Sequence, residues 1–317
     1  MDLVQLICPV CRGKLTPTLD SMKCEECKEI YAVQDGIPVL LPPSLDDFSL
    51  EEAKYHSEFE EDPVDVHQLN SVRNQYYHDL LRKKVISNGA GVILEVGGGS
   101  GQDAVAILNA GMNLVETDIS IGALTRSQKE MVSGSSNGNP KNVQFVCCTL
   151  TSLPFPDQSF ETSFAIATIH HLKDVMKGIL EMARVTKRGG TVTVGIEPNA
   201  IYFRQIKRFR KVLCFLSHTD PKKVSKADAE MSGFTERELQ DAFEHAGLNV
   251  EQVIPVWLTL GPLHYGLEFV FRVFRLKKRI RVPKMFEHAL LGIDRAIFAL
   301  PFMKYLCWHW IISGLKR

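Results

Sequence analysis

Four cysteines open the chemistry of this chain. Cys8, Cys11, Cys24 and Cys27 form two Cys-x2-Cys pairs twelve residues apart. Two thiolates presented by one tight turn reach the same tetrahedral ion, so four sulfurs close a structural zinc(II) site. A segment of about forty residues buries too little apolar surface to hold itself without a metal or disulfides. Disulfides are the competing explanation, and the Met1–Gln5 start, which has no basic stretch leading into an apolar run, does not suggest export. With four protein ligands no coordination position stays open, so this metal is expected to hold the fold and do no chemistry.

A second group lies in the middle of the chain. Glu95, Gly97, Gly98, Gly99 and Gly101 end an apolar run, Val92–Val96. Glycines there let the backbone pass close under a ligand. The Gly-x-Gly-x-x-Gly spacing of a nicotinamide dehydrogenase fails, because its third glycine position is Gln102. Asp118, 21 residues after Gly97, ends the next apolar run, where a carboxylate can accept both hydroxyls of a ribose diol. Glu116 is the rival, but strand alternation brings Asp118 nearer the open edge. His170 and His171 end a later run and are candidates for a general base, since imidazole titrates near neutral pH.

These residues need a scaffold to meet. A helix over Ser71–Ser87, a strand at Val92–Val96, a helix Asp103–Asn109 and a strand Asn113–Thr117 alternate as in a parallel α/β sheet. Strands at Val143–Cys148 and Phe164–Ile169 follow, then a helix Asp174–Lys187, a turn at Arg188–Gly190 and a strand Thr191–Ile196. Thr235 and Glu238 make a capping box for another helix, which Gly247 ends. In the amino-terminal part, Tyr31–Pro42 reads as strand, turn at Asp35-Gly36, strand and stop.

The chain has 317 residues, 45% hydrophobic and 23% charged, and 37 basic residues balance 37 acidic ones. That balance excludes a globally basic nucleic-acid binder and a charged disordered chain. The longest uncharged run, Gln252–Leu267, is 16 residues and holds two prolines and two glycines, short of the roughly 20 apolar residues of a membrane span. A cytoplasmic protein is the expectation, with peripheral attachment at the inner face of the membrane as an extension of it. The zero is a cancelled sum. Ser44–Asp65 carries −8 and Leu258–Arg317 carries +8, and Arg204–Lys211 is a second basic run.

Two resemblances sharpen these readings. CPVCRGKL…MKCEECKEIYAVQDGIPVLLP, residues 1–43, resembles the zinc-ribbon family of methyltransferase activator modules. Glu95-x-Gly-x-Gly-x-Gly, Asp118-Ile-Ser, Leu153-Pro-Phe-Pro-Asp-Gln-Ser-Phe160 and His170-His-Leu172 resemble, in order, the motifs of class I S-adenosylmethionine-dependent methyltransferases, in the branch acting on small molecules and lipid quinones. The resemblance implies an α/β fold: a Rossmann-like seven-stranded methyltransferase sheet with an amino-terminal zinc ribbon and a carboxyl-terminal helical extension. It implies S-adenosyl-L-methionine as cofactor, surrounded by Glu95, Gly97, Gly98, Gly99, Gly101, Asp118, Ile119, Thr149, Leu150 and Ala165. Thr149 stands where the family normally has an adenine-reading Asp, so one adenine contact is expected to differ. In that family a His-His-Leu often has a structural or cofactor-side role rather than a catalytic one.

The expected organisation is a zinc ribbon at 1–43, an acidic linker at 44–70, a methyltransferase domain at 71–257 with an insertion or lid at 199–233, and a basic, aromatic helical extension at 258–317. The expected acceptor is a small molecule, a glycan or a lipid-linked intermediate. A packed helical lid over the active site is the first expectation for 258–317, peripheral membrane contact a second and RNA contact a weaker one. Methylation of a base of ribosomal or transfer RNA is the alternative activity, and a non-catalytic binding protein on the same fold is a third reading. No Asn-Pro-Pro-Tyr motif for an exocyclic base amine follows the fourth strand; Ala165-Ile-Ala-Thr168 stands there.

Overall fold

In the computed structural model, residues 3–58, 72–87, 91–99, 101–132, 142–220 and 224–317 are described. Four short antiparallel strands, β1 (Leu15–Pro17), β2 (Ser21–Cys24), β3 (Ile30–Gln34) and β4 (Ile37–Pro38), form a sheet in sequence order. The β3–β4 hairpin turns at Asp35 and Gly36, both with positive φ, as the Asp-Gly pair requires.

The rest is built on one seven-stranded sheet. After α1 (Asp47–Glu58) and α2 (Val72–Ser87) come β5 (Val92–Val96), α3 (Gln102–Asn109), β6 (Asn113–Asp118), α4 (Ile121–Val132), β7 (Val143–Cys147) and β8 (Phe160–Ile166). A 3-10 turn at Ile169–His171, α5 (Val175–Val185) and β9 (Thr186–Pro198) follow, then α6 (Ala200–Leu216), α7 (Lys226–Glu230), α8 (Glu236–His245) and β10 (Leu248–Val256). α9 (Leu260–Val273), α10 (Lys284–Phe298) and β11 (His309–Lys316) end the chain. The strand order is β10-β11-β9-β8-β5-β6-β7. β5 to β9 pair in parallel, and β11 runs antiparallel to both its neighbours. The connections change direction between β5 and β8, so the crevice at their carboxyl ends is the place this topology gives a ligand.

Two expectations need correcting. The acidic stretch is not only a tether. Its first part is α1, which packs on α4 so closely that a Cβ at Gly122 would come within 2.8 Å of the Ser57 backbone. Glu52 of that helix is buried. The remainder of the expected linker, 59–70, lies outside the described residues. The carboxyl-terminal segment is also not wholly an extension. Its last strand, β11, is inserted between β9 and β10 and completes the sheet, with Trp310, Ile311 and Ile312 buried. Only 257–308 is added to the basic fold. Inside this insert His264 of α9 has its Nε2 2.9 Å from Glu287 of α10, and Arg73 of α2, stacked 4.3 Å over Trp257, ties the insert to the sheet domain.

The cysteine-bearing sheet shares one core with the large sheet: Leu6, Leu15, Tyr31 and Leu40 pack with Leu150, Leu153 and Ile179. Val39 and Leu40 lie along β7, where Leu40 N donates to Cys147 O at 2.7 Å. The edge strand is thereby covered, as exposed edges of a sheet must be.

Candidate functional site

The carboxyl ends of four neighbouring strands meet in one cavity of about 160 Å³. β5 gives Val96, Gly97 and Gly99, β6 gives Asp118 and Ile119, β7 leads into Cys148, Thr149 and Leu150, and β8 leads into Ala167 and Thr168. Gly97 (φ 72°) turns where a Cβ would meet Thr168 Oγ1 at 2.4 Å, and Gly99 (φ 56°) faces open space. The loop's amides are organised by β6. Gly97 N and Gly98 N donate to Thr117 O, and Gly99 N donates to Asp118 Oδ2 at 3.0 Å.

Asp118 Oδ1 also accepts from Ser120 N at 2.8 Å. Burial pushes this carboxyl up, against the two amides, which favour its ionised form. Beneath the loop, Glu95 and Glu116 are opposite one another on β5 and β6 and are fully enclosed. Burial raises both, with the neighbouring Glu116 adding to it at Glu95 and Asp118 adding to it at Glu116. Glu116, despite the Ser127 hydroxyl donating to it, is pushed to about 8, and Glu95 is raised well above its usual range. These two are the supports below the glycines, and Asp118 is the carboxyl at the cavity wall.

The wall opposite the glycines comes from α1: Ser49, Glu52 and His56, one helical turn after another. Glu52 Oε2 accepts from His171 Nδ1 at 2.9 Å and stands 3.5 Å from His56 Nε2, and Glu52 Oε1 accepts from Ala227 N at 2.9 Å. Burial alone would raise Glu52, but these donors hold it well below the usual carboxylate range. His171 thus faces the small cavity with one ring nitrogen already engaged.

His170 faces a second cavity of about 620 Å³, walled by Phe48, Lys173, Lys207, Lys226 and Met231 among others. The expected insertion at 199–233 therefore lines this chamber through α6 and α7. The two imidazoles are 4.3 Å apart, and Leu172 lines both cavities. The two cavities adjoin at the histidine pair. His170 Nδ1 is 2.8 Å from Glu197 Oε2, and the same carboxylate accepts from the amides of Thr168, Ile169 and His170. Its Nε2 has Asp228 at 3.8 Å. Burial lowers the imidazole, but the charge and hydrogen bond of Glu197, with Asp228 and Glu52 behind, leave it raised above 6.5.

Of the residues singled out in sequence, Gly97, Gly99, Asp118, Ile119, Thr149, Leu150 and His171 line one cavity. Glu95, Gly98 and Gly101 support it from behind. Ala165 does not reach it; it is fully buried within β8, and Ala167 and Thr168 take the place at the strand end. The φ of 50° at Ala167 breaks the strand there. Cys147 and Cys148 are buried thiols, Cys147 pushed to about 12 by burial. Ser49, Glu52 and His56 were hidden inside the acidic run, where only the i, i+4 spacing of Glu52 and His56 hinted at one face.

The four amino-terminal cysteines also converge. Cys8 and Cys27 sulfurs are 3.6 Å apart, Cys11 and Cys24 3.4 Å, and all four lie within 4.8 Å of one another. A tetrahedral ion with bonds of about 2.3 Å needs sulfurs about 3.8 Å apart, whereas a disulfide needs about 2.05 Å. The cluster has metal spacing. All four thiols are free.

The fold and site now have counterparts. Residues 94–194 match the family model described as a methyltransferase domain. The sheet has the architecture of methyltransferase structures: geranyl diphosphate C-methyltransferase from Streptomyces coelicolor A3(2) superposes with a TM-score of 0.55 over 87% of this chain and 100% of that one, at 13% identity. Among curated proteins, the uncharacterized methyltransferase YcgJ of Bacillus subtilis is 34% identical over 98 residues, 31% of this chain and 37% of that protein. The demethylmenaquinone methyltransferase of Geobacillus kaustophilus is 27% identical over 239 residues, 68% of this chain and 97% of that protein. The chain spans less than half the length of several curated relatives it matches, YcgJ included. The matched segment begins in β5 and ends in β9, so it contains both the glycine loop and the histidine pair.

Proposed function

We propose that the protein moves a methyl group from S-adenosyl-L-methionine, held at the glycine loop, to a small-molecule acceptor held in the larger cavity, a glycan or lipid-linked intermediate included. The observation that carries this reading is the juxtaposition: the glycine loop, Asp118 and Thr149–Leu150 share one chamber, and a second adjoins it at His170, His171 and Leu172. Gly97 and Gly99 clear room for the cofactor, Asp118 accepts its ribose hydroxyls, and Thr149 and Leu150 border the adenine. The donor set fits. The small cavity is below the roughly 300 Å³ of an ordinary ligand pocket because α1 stands in its mouth, so loading requires that helix to shift.

The cofactor supplies an electrophilic methyl on a positively charged sulfur, and its transfer is an in-line displacement that needs alignment and exclusion of water. His170 borders the acceptor chamber. Glu197 fixes its Nδ1–H, so a neutral ring offers Nε2 as proton acceptor, in the manner of an imidazole oriented by a carboxylate. We assign His170 the general base and His171 the anchoring of α1. Zinc held by Cys8, Cys11, Cys24 and Cys27 belongs to the same reading as a purely structural ion.

Calorimetric titration with S-adenosylmethionine tests the core of it. Wild type binds, and Asp118→Ala, which removes a carboxylate from two ribose hydroxyls and from the loop amide of Gly99, binds about 10- to 100-fold more weakly. Absence of binding by the wild-type protein would leave the non-catalytic reading standing instead.

A further inference from the structure

Exposed apolar side chains gather on the outward face of α6 and around the connection that follows α9. α6 has 17 residues, on the order of 25 Å, yet only Ala200 and Phe203 are buried. Phe209, Val212, Phe215 and Leu216 stand in solvent among Arg208 and Lys211, with Phe215 80% exposed. The connection between α9 and α10 is alike. Phe274, Ile280 and Met285 are 69%, 70% and 84% exposed, interleaved with Arg275, Lys277, Lys278 and Arg281. From Phe269 to Phe286 there is no acidic residue.

The two elements converge. Arg275 Nη2 donates to His218 Nδ1, just past the end of α6, at 3.3 Å. Glu268 accepts from Arg272 and from Arg279, which folds the connection back on α9. The segment after α6, three residues past exposed Phe215, is thereby joined to the segment that follows exposed Phe274.

We propose that this surface docks on an anionic lipid bilayer, its apolar tips inserted at the headgroup level and its Lys and Arg side chains on lipid phosphates. The composition selects that occupant. Glu268 engages Arg272 and Arg279, and the other basic side chains of the surface, Lys211, Lys277 and Lys278 among them, match an anionic surface. Aliphatic tips such as Leu276, Ile280 and Met285 gain from an apolar phase, which a bilayer offers and an RNA strand does not. Among the described residues no helix is long and apolar enough to cross a membrane, so attachment is to its face. Lys207 of α6 also lines the larger cavity, so docking brings that chamber's wall to the lipid surface.

Flotation of the full-length protein with lipid vesicles tests this. Vesicles of phosphatidylcholine with about 30% phosphatidylglycerol should carry the protein, those of phosphatidylcholine alone should not, and added salt should release it. Phe215→Glu/Phe274→Glu should lower partitioning roughly tenfold or more, with melting temperature and cofactor titration as in wild type. Should that variant misfold, Lys277→Gln/Lys278→Gln provides the same test through charge. Equal flotation on both vesicles, flotation on neither, or full retention by the variants overturns the proposal. So does a dimer in sedimentation velocity, or a complex with single-stranded RNA, that the Phe215→Glu/Phe274→Glu change abolishes while vesicles remain unbound. Cofactor binding is measured separately, so failure here leaves the methyl-transfer reading untouched.

Discussion

His170 and His171 are adjacent in sequence, and their carboxylate partners give them different work. Glu197 lies 27 residues after His170, while Glu52 lies 119 residues before His171. The histidines were visible in the sequence because they end an apolar run. Their partners were not, since a hydrogen bond across that separation leaves no local pattern. The raised pKa of His170 sets a sign. A base acts in its neutral form, so turnover falls as pH drops through that pKa, and the acid limb lies above the ordinary histidine range of about 6.5. His170→Ala should lower kcat by about 100-fold or more and abolish this limb, leaving the cofactor dissociation constant unchanged. His171→Ala should do the reverse, weakening cofactor binding and retaining the limb. A pH–rate series and a titration on each variant separate them; an intact acid limb in His170→Ala would dismiss the assigned base.

Elements were legible where their signal is local. The strand at Val92–Val96 has the expected bounds, and the Thr235–Glu238 capping box is formed, because an apolar run and a cap are written within a few residues. Two elements hid. α1 reads as a charge run, and its packing face, with Phe48, Glu52 and His56, includes an acid that becomes favourable only when His171 and Ala227 donate to it. β11 is parted from its hairpin partner by residues 257–308, so no turn announces the pair. α1 carries the clearest consequence. Breaking a buried charge network by removing one member typically costs about 3–5 kcal/mol. Glu52 is buried but borders a cavity, so the lower end of that range, about 3 kcal/mol, is the expectation for Glu52→Ala, a fall in melting temperature of about 6–12 °C. Cofactor release should also quicken severalfold, since α1 walls the cavity. The stabilising effect of Glu52 is present above its unfolded pKa of about 4.5 and fades as pH falls toward its depressed folded value. Stopped-flow release and thermal melts read both effects, and an unaltered release rate would mean that α1 does not gate the cavity.

At the scale of the whole molecule, the cysteine sheet is joined to the cofactor chamber through few and specific contacts. Leu40 N holds Cys147 O, Gln144 exchanges two hydrogen bonds with the backbone of Val4, Ile7 N donates to Pro154 O, and Ser152 Oγ donates to Pro9 O at 2.6 Å. Every one of these partners lies on β7 or in the loop that follows it, and that loop contributes Cys148, Thr149 and Leu150 to the cavity. The cysteine sheet therefore backs the cavity wall formed by Cys148, Thr149 and Leu150, the wall proposed to border the adenine. Its own fold rests on four thiols. The Cys24 thiol, which burial would raise, is lowered by the amides of Cys27 and Glu26, whereas Cys11 and Cys27 beside it are raised. Structural zinc contributes on the order of 10 kcal/mol to small domains that cannot otherwise fold. Withdrawing it, with a strong chelator or by Cys8→Ser/Cys24→Ser, should unfold residues 3–43, uncover the β7 edge and loosen the wall beside Thr149. Cofactor affinity should then drop about tenfold while the β5–β9 sheet persists, seen as hydrogen-exchange protection lost over the ribbon and β7 but kept in β5 and β8. Were the metal-free protein to lose ribbon protection and still bind cofactor with unchanged affinity, the ribbon would be a cover for the sheet edge and nothing more.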